Sequence, residues 1–225
     1  MGTTKEIAKI AGIIILGPIL APMSLVKEMI GDFAHFLEDS PTQKGRSGED
    51  NANNIIQVYC KKRQFLNFPD LLIPNKFTQT SQIDNIIITN HAIAVIEIKN
   101  LRGRKIDVYE YDEWNQHFDR TCYELRNPLK QNWGHIQALK AILGDEIPYF
   151  NVVLLAKKVN LNSFNISQGF SKVGYLEDLE EIINTLDNKV ISRKTINKEE
   201  ILSRIKANNI TDQTVRSIHN KRHEA

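Results

Sequence analysis

Two short runs of apolar residues near the middle of the chain carry the strongest structural pattern. Residues 83–89 and 92–99 are rich in isoleucine, alanine and valine, and only Asn90 and His91 separate them. β-Branched side chains favour strands, and a short polar pair favours a tight turn. The pattern therefore predicts a β-hairpin with a two-residue turn.

Helical and extended patterns alternate along the rest of the chain. Apolar residues recur at helical spacing over 49–62, and Asn127 followed by Pro128 is typical of a helix start. We expect that second helix to continue to about residue 143. Helices that alternate with strands around a hairpin predict an α/β fold with a mixed central β-sheet flanked by helices. The other predicted elements are strands over 65–73, 150–156 and 172–175, a hairpin over 104–118, a helix that ends near 186, and one or two tail helices capped by Thr195 or Asn197.

The N-terminus contains an uncharged apolar run at residues 10–26. Its length just reaches the lower limit of about 17 residues for a helix that spans a bilayer. Three interpretations stay open: a membrane anchor through residues 7–26, a cleaved signal peptide, or a buried hairpin-like element. The signal peptide fits least well, because no clean small-residue cleavage site follows the run. An amphipathic helix over 24–37 and a polar linker over 38–47 are predicted next.

These patterns divide the chain into three parts. Residues 1–44 hold the apolar segment, the amphipathic helix and the linker, residues 45–187 form the globular domain, and residues 188–225 form a basic helical tail. From Lys189 onward there are nine Lys/Arg and four Asp/Glu, whereas the whole chain has a formal net charge of +2. Such a tail suits contact with phosphate and equally a solvated basic helix.

Composition narrows the class of protein further. Hydrophobic residues make up 41% of the chain and charged residues 25%, which indicates a packed domain and excludes wholesale disorder. Cys60 and Cys122 have neither metal-ligand spacing nor a disulfide framework, which favours a reducing compartment. The predicted location is the cytoplasm, or the cytoplasmic face of the inner membrane if the N-terminal segment is an anchor.

The central hairpin brings charged residues together in an apolar setting. With a two-residue turn, the register puts Asp84 opposite Glu97 and Gln82 opposite Lys99, all on one face of the sheet. Neighbouring carboxylates repel unless a cation lies between them, and oxygen ligands suit Mg²⁺ or Mn²⁺. An ammonium group beside them can orient a water molecule or offset charge on a phosphate. This combination predicts phosphodiester hydrolysis, although Glu-x-Lys alone is commonly a surface ion pair.

Five further residues are candidates for the same site. Glu49 lies on the apolar face of the first helix, as a third acidic ligand or as a first-turn glutamate favoured by the helix dipole. Gln131 and His135 lie one turn apart on the helix after Asn127, where they could contact phosphate or the metal shell, and a structural histidine is the alternative. Arg102 and Arg104 are candidate substrate contacts or solvated loop residues. Gln131 and His135 border a stripe that is predicted to pack on the sheet: Leu129, Trp133, Ile136 and Leu139.

A set of motifs occurs in a fixed order over roughly residues 45–156. It consists of Gly48-Glu49, Gln82-Ile83-Asp84, Ile96-Glu97-Ile98-Lys99-Asn100, Gly103, Trp114, and Asn127-Pro128 with Gln131 and His135. This ensemble resembles the nuclease-related domain (NERD) of the PD-(D/E)xK nuclease superfamily.

The resemblance implies a restriction-endonuclease-like core. It implies that Asp84 and Glu97 bind the metal, that Lys99 is catalytic, and that Glu49 and Gln131 support them. Members of the family often carry an N-terminal membrane segment, which favours the anchor. Asn85 departs from the family pattern, because histidine is common at that position.

The leading hypothesis is an endonuclease that uses Mg²⁺ or Mn²⁺ to cut DNA with little sequence specificity. No base-reading motif is evident, so phosphate contacts are expected to dominate. DNA processing and defence against foreign DNA in a prokaryote are both compatible with it. Two alternatives stay open: a non-catalytic nuclease-derived module that binds nucleic acid or a protein partner, and a membrane-tethered interaction protein with a structural acid cluster. Apart from DNA, a protein partner and a homo-oligomer also stay open.

Overall fold

A computed structural model describes residues 44–164, 166, 169–191 and 194–223. The predicted membrane anchor and amphipathic helix lie outside the described residues. Within the described ranges, no helix is both long enough and apolar enough to cross a membrane.

Helices and strands alternate along the described chain as predicted. The first helix begins at Lys44, inside the stretch predicted to be linker, and Asn197 rather than Thr195 caps the fourth helix. In chain order the elements are α1 (Lys44–Arg63), β1 (Leu66–Asn75), β2 (Gln79–Ile88), β3 (Ile93–Lys99), β4 (Lys105–Tyr109), β5 (Trp114–His117), β6 (Cys122–Leu125), α2 (Pro128–Leu143), β7 (Tyr149–Leu155), β8 (Asn160–Phe164), β9 (Ser171–Tyr175), a 3₁₀ helix (Leu176–Asp178), α3 (Leu179–Asn188), α4 (Lys198–Asn208) and α5 (Gln213–His223).

The central sheet has five strands in the order β1-β2-β3-β7-β9. Strand β2 pairs with β1 and with β3 in antiparallel fashion, and β7 and β9 continue the sheet in parallel from β3. This mixed sheet confirms the predicted fold class. Because β3 is a central strand, it is buried on both faces, which explains its nearly continuous apolar sequence.

A second sheet, with strands in the order β6-β5-β4-β8, was not predicted. The hairpin expected over 104–118 is present as β4 and β5, but β6 and β8 extend it into a four-stranded sheet. Strand β6 alternates between exposed and half-buried residues, and β8 has the polar sequence NLNSF. Neither strand therefore has the apolar run that identifies a strand in a sequence.

Helices cover both faces of the central sheet. One face packs against α1 and α3 through an apolar cluster that includes Ile56, Ile96 and Ile183. The other face packs against α2 and α4 through a cluster that includes Val95, Ile136 and Ile205. Burial of each such side chain contributes about 1.5–3 kcal/mol, so these two clusters hold the layers together.

The buried face of α2 differs from the predicted stripe at one position. Trp133 is 53% exposed, while its neighbour Asn132 is fully buried. Leu129, Ile136 and Leu139 are buried as expected, and at 3.6 residues per turn they centre on the side of Asn132. The Asn132 amide donates hydrogen bonds to the Val95 carbonyl at 2.8 Å and to Asn151 Oδ1 at 2.9 Å.

Replacement of Asn132 with alanine is expected to lower the free energy of unfolding by about 1–3 kcal/mol, because buried acceptors lose their donor. Trp133→Ala is the control, with an expected loss below about 1 kcal/mol, since the ring is half exposed. Urea unfolding measures both. Equal losses for the two variants would contradict the importance of the amide contacts.

Candidate active site

A cavity of about 510 Å³ lies where β3 ends, between β2 and α2. Six of the nine predicted site residues line it, namely Gln82, Asp84, Glu97, Lys99, Gln131 and His135. The fold thus brings most of the predicted residues together, although they come from three elements separated in the sequence.

The hairpin between β2 and β3 has the predicted register near its turn. Ile88 pairs with Ile93 and Ile86 pairs with Val95, and the Thr89 N–H donates to the Ala92 carbonyl across the turn. A two-residue turn and one buried face are sufficient to determine this register.

The regular pairing ends sooner than predicted. The last backbone pair joins Asn85 to Ile96, and Asp84 and Glu97 do not continue the ladder. Instead the Asp84 carboxylate accepts a hydrogen bond from the Ile98 N–H at 2.7 Å. On the other side of β2, Asp70 lies level with Asp84 and has a φ of +48°, which interrupts the β1–β2 pairing at the same point.

This interruption also shifts the alternation of side chains along β2. Ile83 and Ile86 both belong to the apolar cluster beneath α2, although regular alternation would put them on opposite faces. Ser81 consequently reaches α2, where its hydroxyl lies 2.6 Å from His135 Nδ1. Gln82 donates instead to Asp70 Oδ1 at 2.8 Å. The predicted quartet of directly opposed residues is thus replaced by a less regular group around the cavity.

Glu97 is the most enclosed ionisable group of the cavity, with 2% of its side chain exposed. Its Oε1 lies 2.7 Å from Lys99 Nζ, which also donates to Gln131 Oε1 at 3.3 Å. Burial by itself raises the pKa of Glu97, but the Lys99 ammonium and the His135 imidazole outweigh it and hold that pKa below its ordinary value. Glu97 is therefore an anion at neutral pH.

The second oxygen of Glu97 lacks a good hydrogen bond. Glu97 Oε2 is 3.5 Å from His135 Nε2, and both atoms are buried without a hydrogen-bond partner among the described residues. An unsatisfied buried acceptor costs about 1–3 kcal/mol. A cation in the cavity would satisfy this oxygen.

The donor set of the cavity would suit a divalent cation that retains part of its water shell. Asp84 and Glu97 supply two carboxylates, and Mg²⁺ in proteins is often held by one or two carboxylates with several waters. In the ranges that the structure describes, no group of three His, Cys, Asp or Glu side chains is arranged to hold a metal ion. Glu49, the predicted third ligand, belongs to α1, but its side chain lies outside the described residues and its role stays a prediction.

Arg102 and Arg104 do not line the cavity. Arg104 is paired with Asp119 at 2.9 Å on the exposed surface, and the Arg102 carbonyl accepts a hydrogen bond from Gln116. Their contact with substrate stays a prediction. Besides Lys99, Arg126 and Lys130 are lysine and arginine residues that line the cavity, and sequence analysis missed both of them. Their positions beside the Asn127 cap were a usable signal, since anions bind near helix N-termini.

The cap of α2 positions the helix side chains of the cavity. Asn127 Oδ1 accepts hydrogen bonds from the Leu129 and Lys130 N–H groups, and its amide donates to the Tyr109 and Asp112 carbonyls. The N-terminus of α2 is therefore fixed to the hairpin of β4 and β5. Gln131 and His135 follow from this anchor on consecutive turns.

Asn85, which departs from the family pattern, is not among the residues that line the cavity. It is fully buried, and its amide donates to Asn53 Oδ1 on α1 at 2.7 Å. Asn85 therefore contributes to the packing of β2 against α1 and does not form part of the cavity wall.

The fold and the cavity define a restriction-endonuclease-like α/β protein. Residues 44–156, half of the chain, match the family model of the nuclease-related domain, and the chain belongs to the nuclease-related domain (NERD) family. The match includes every predicted site residue. It indicates a nuclease-related function and nucleic acid as the class of partner.

A relative extends the similarity beyond the family domain. The chain is 24% identical over 181 residues to an uncharacterized protein of Bacillus anthracis, and the alignment covers 80% of this chain and 84% of the relative. No solved structure matches the chain significantly.

Proposed function

We propose that this protein is an endonuclease that depends on Mg²⁺ or Mn²⁺ and hydrolyses DNA phosphodiester bonds with little sequence specificity. The observation that carries the proposal is the burial, charge and incomplete hydrogen bonding of Glu97. It is a buried anion beside Lys99, with one oxygen unsatisfied, in the same cavity as Asp84. Charged groups are rarely enclosed in this way without a partner or a role.

Asp84 and Glu97 are the residues that would hold the metal ion. A divalent cation at this position would supply Lewis-acid stabilisation of the charge that develops on the phosphate. The hydrogen bond from the Ile98 N–H keeps one Asp84 oxygen in place, so little reorganisation of that carboxylate is needed. Preorganised charges of this kind are effective because they need not be reoriented during the reaction.

Lys99 would act on the reacting phosphate. In hydrolysis a water oxygen forms a bond to phosphorus while the bond to the leaving oxygen breaks. The Lys99 ammonium, 26% exposed at its side chain, can donate a hydrogen bond to a non-bridging oxygen or orient that water. Gln131 accepts a hydrogen bond from Lys99 Nζ and so limits the positions that the ammonium group can adopt.

Phosphate contacts would supply the affinity for DNA. Arg126 and Lys130 lie on the cavity wall and can neutralise phosphates of a bound strand. Such contacts fix the position of a strand and carry no sequence information. We therefore expect binding that weakens steeply with salt and varies little with sequence.

The cellular setting is part of the same proposal. Cleavage without sequence preference suits DNA processing or defence against foreign DNA in a prokaryote. A cytoplasmic location is proposed, with residues 7–26 as an anchor to the inner membrane. Fractionation of cells that express the full chain tests this location. Recovery of the protein in the soluble fraction would refute the proposed anchor.

The activity is tested with supercoiled plasmid and linear DNA. We expect nicking in the presence of Mg²⁺ or Mn²⁺ and none in the presence of a chelator. DNA that is bound and never cut would favour the non-catalytic module, whose basis is the absence of a three-ligand metal cluster in the described part of the chain. Failure both to bind and to cut would leave only a structural role for the acid cluster.

A further inference from the structure

The C-terminal helix α5 contributes to the cavity, although it lies outside the family domain. The nuclease-related match ends at residue 156, and α5 spans Gln213–His223. His219 and Asn220 nevertheless line the same cavity as Asp84 and Glu97. From the sequence, this region was predicted as a basic helical tail without a part in the site.

The segment before and within α5 is attached to β1, the strand at the edge of the central sheet. The Ile210 N–H donates to the Leu72 carbonyl at 2.7 Å, and the Leu72 N–H donates to Asn209 Oδ1 at 3.3 Å. Arg216 adds three contacts to Asp70, since Nη1 donates to both carboxylate oxygens at 3.2 and 3.0 Å and Nη2 donates to the backbone carbonyl at 2.8 Å. Bidentate guanidinium contacts of this kind determine orientation as well as proximity.

Two of these attachments continue into the cavity wall. Asp70 also accepts the hydrogen bond from Gln82, so it links Arg216 to a residue of the cavity. Thr80, a second lining residue on β2, has its hydroxyl 2.7 Å from His219 Nδ1. The position of α5 is thereby coupled to β2, which carries Asp84.

The burial pattern of α5 is unusual for a helix that packs for stability. Such a helix buries an apolar stripe, as α4 does with Ile201 and Ile205. Among the α5 side chains that the structure describes, His219 is the one buried residue, at 6% exposure, whereas Val215 and Ile218 are exposed. The contact surface of α5 is thus polar and directed at the cavity wall.

We propose that α5 forms one wall of the nuclease site and that His219 is a substrate-binding residue for the DNA backbone. When Nδ1 accepts from the Thr80 hydroxyl, the neutral imidazole carries its proton on Nε2, which then donates to a phosphate oxygen. Arg216 is a positioning residue that acts by holding α5 on Asp70. Exposed Lys221, which follows the lining residue Asn220 in the chain, adds positive charge to α5. This inference rests on the proposed function, since it assumes a DNA substrate.

The test compares two replacements of His219 in the full chain. His219→Asn retains a group at the Nδ1 position that can meet Thr80 but has none at the position of Nε2, whereas His219→Ala removes both. The affinity for a labelled DNA duplex is measured in chelator, where no cleavage intervenes, and plasmid cleavage is measured in Mg²⁺. Ser217→Ala, at an exposed position of α5 that does not line the cavity, is the matched control.

We expect both His219 variants to raise the Kd for DNA by about tenfold, which is typical for the loss of a hydrogen bond to a charged group. KM for cleavage should rise in parallel with little change in kcat, and Ser217→Ala should match the wild type. Arg216→Gln should raise Kd and KM in the same way. Its melting temperature should stay above that of Asn132→Ala, in which a buried residue is replaced.

Three results would overturn the inference. Wild-type affinity in His219→Asn together with weak binding in His219→Ala would reduce His219 to a structural partner of Thr80. Unchanged affinity in both variants would remove it from the substrate contacts. Faster cleavage in either variant, or in Arg216→Gln, would make α5 an obstruction of the site. A wild-type protein that binds DNA and never cuts it would refute the nuclease proposal. The Kd values of the variants would still test whether His219 contacts the DNA.

Discussion

Replacement of Lys99 with alanine is expected to lower the rate of metal-dependent DNA cleavage by about 10²–10³-fold, the usual effect of removing one group that stabilises transition-state charge. The affinity for DNA in chelator should change little, because Arg126, Lys130 and the tail retain their charges. The measurement is the initial rate of plasmid nicking at saturating Mg²⁺.

The chain offers a matched control for this variant. Lys105 forms an ion pair with Asp107 at 2.9 Å on the second sheet, and neither residue lines the cavity. Lys105→Ala therefore removes a similar ion pair and should leave the rate of nicking unchanged. An active Lys99→Ala protein, or an equal loss in Lys105→Ala, would contradict the assigned role of Lys99.

Loss of the Lys99 ammonium has a second effect on the site. Glu97 would remain buried without its nearest positive charge, so its pKa should rise. A buried charge left without its partner destabilises a protein by about 3–5 kcal/mol. Circular dichroism and thermal unfolding are needed beside the activity assay, and Lys99→Gln, which can still donate a hydrogen bond to Glu97, separates loss of charge from loss of folding.

Replacement of Asp84 with asparagine is expected to remove both metal binding and cleavage. The amide oxygen of asparagine can still accept the hydrogen bond from the Ile98 N–H, so the fold should be retained. Among the described residues that line the cavity, a neutral ligand at position 84 leaves Glu97 as the one carboxylate for the cation, and hard divalent ions depend on carboxylates. Mn²⁺ binding measured by titration calorimetry without DNA should weaken by at least about tenfold, with cleavage falling by about 10²-fold.

Asp107→Asn is the control for this prediction. Asp107 is another aspartate on a strand, with His117 Nε2 at 2.7 Å and Lys105 Nζ at 2.9 Å, but it does not line the cavity. Its replacement should not change the affinity for Mn²⁺. If Asp84→Asn bound Mn²⁺ as tightly as the wild type, Asp84 would not be a metal ligand, and the proposed chemistry would need another anion.

Local features of the sequence determined the hairpin and the start of α2. A two-residue turn and the period of two along a strand define which isoleucines of β2 and β3 face each other. Asn127 followed by Pro128 defines a helix start through contacts within a few residues. The family pattern, which depends on residue types at fixed intervals, was also readable without coordinates and is confirmed by the match over residues 44–156.

Only the tertiary structure decided the arrangement of the carboxylates. The predicted pairing of Asp84 with Glu97 assumed that regular strand geometry continues, and it ends at Asn85 because Asp84 bonds to the Ile98 N–H and Asp70 adopts a positive φ. Both causes involve atoms distant in sequence. The periodicity of β2 alone carries no information about them.

The same reason explains the burial of Asn132 and the position of α5. Trp133 is the more hydrophobic residue, but the acceptors that Asn132 meets come from β3 and β7 and exist only after the sheet has formed. His219 reaches the cavity because Arg216 and the 209–210 segment attach to β1, more than 130 residues earlier in the chain. Turns and helix caps depend on residues that are neighbours in the sequence. A cavity wall that combines β2 with α5 depends on contacts that form only in the folded chain.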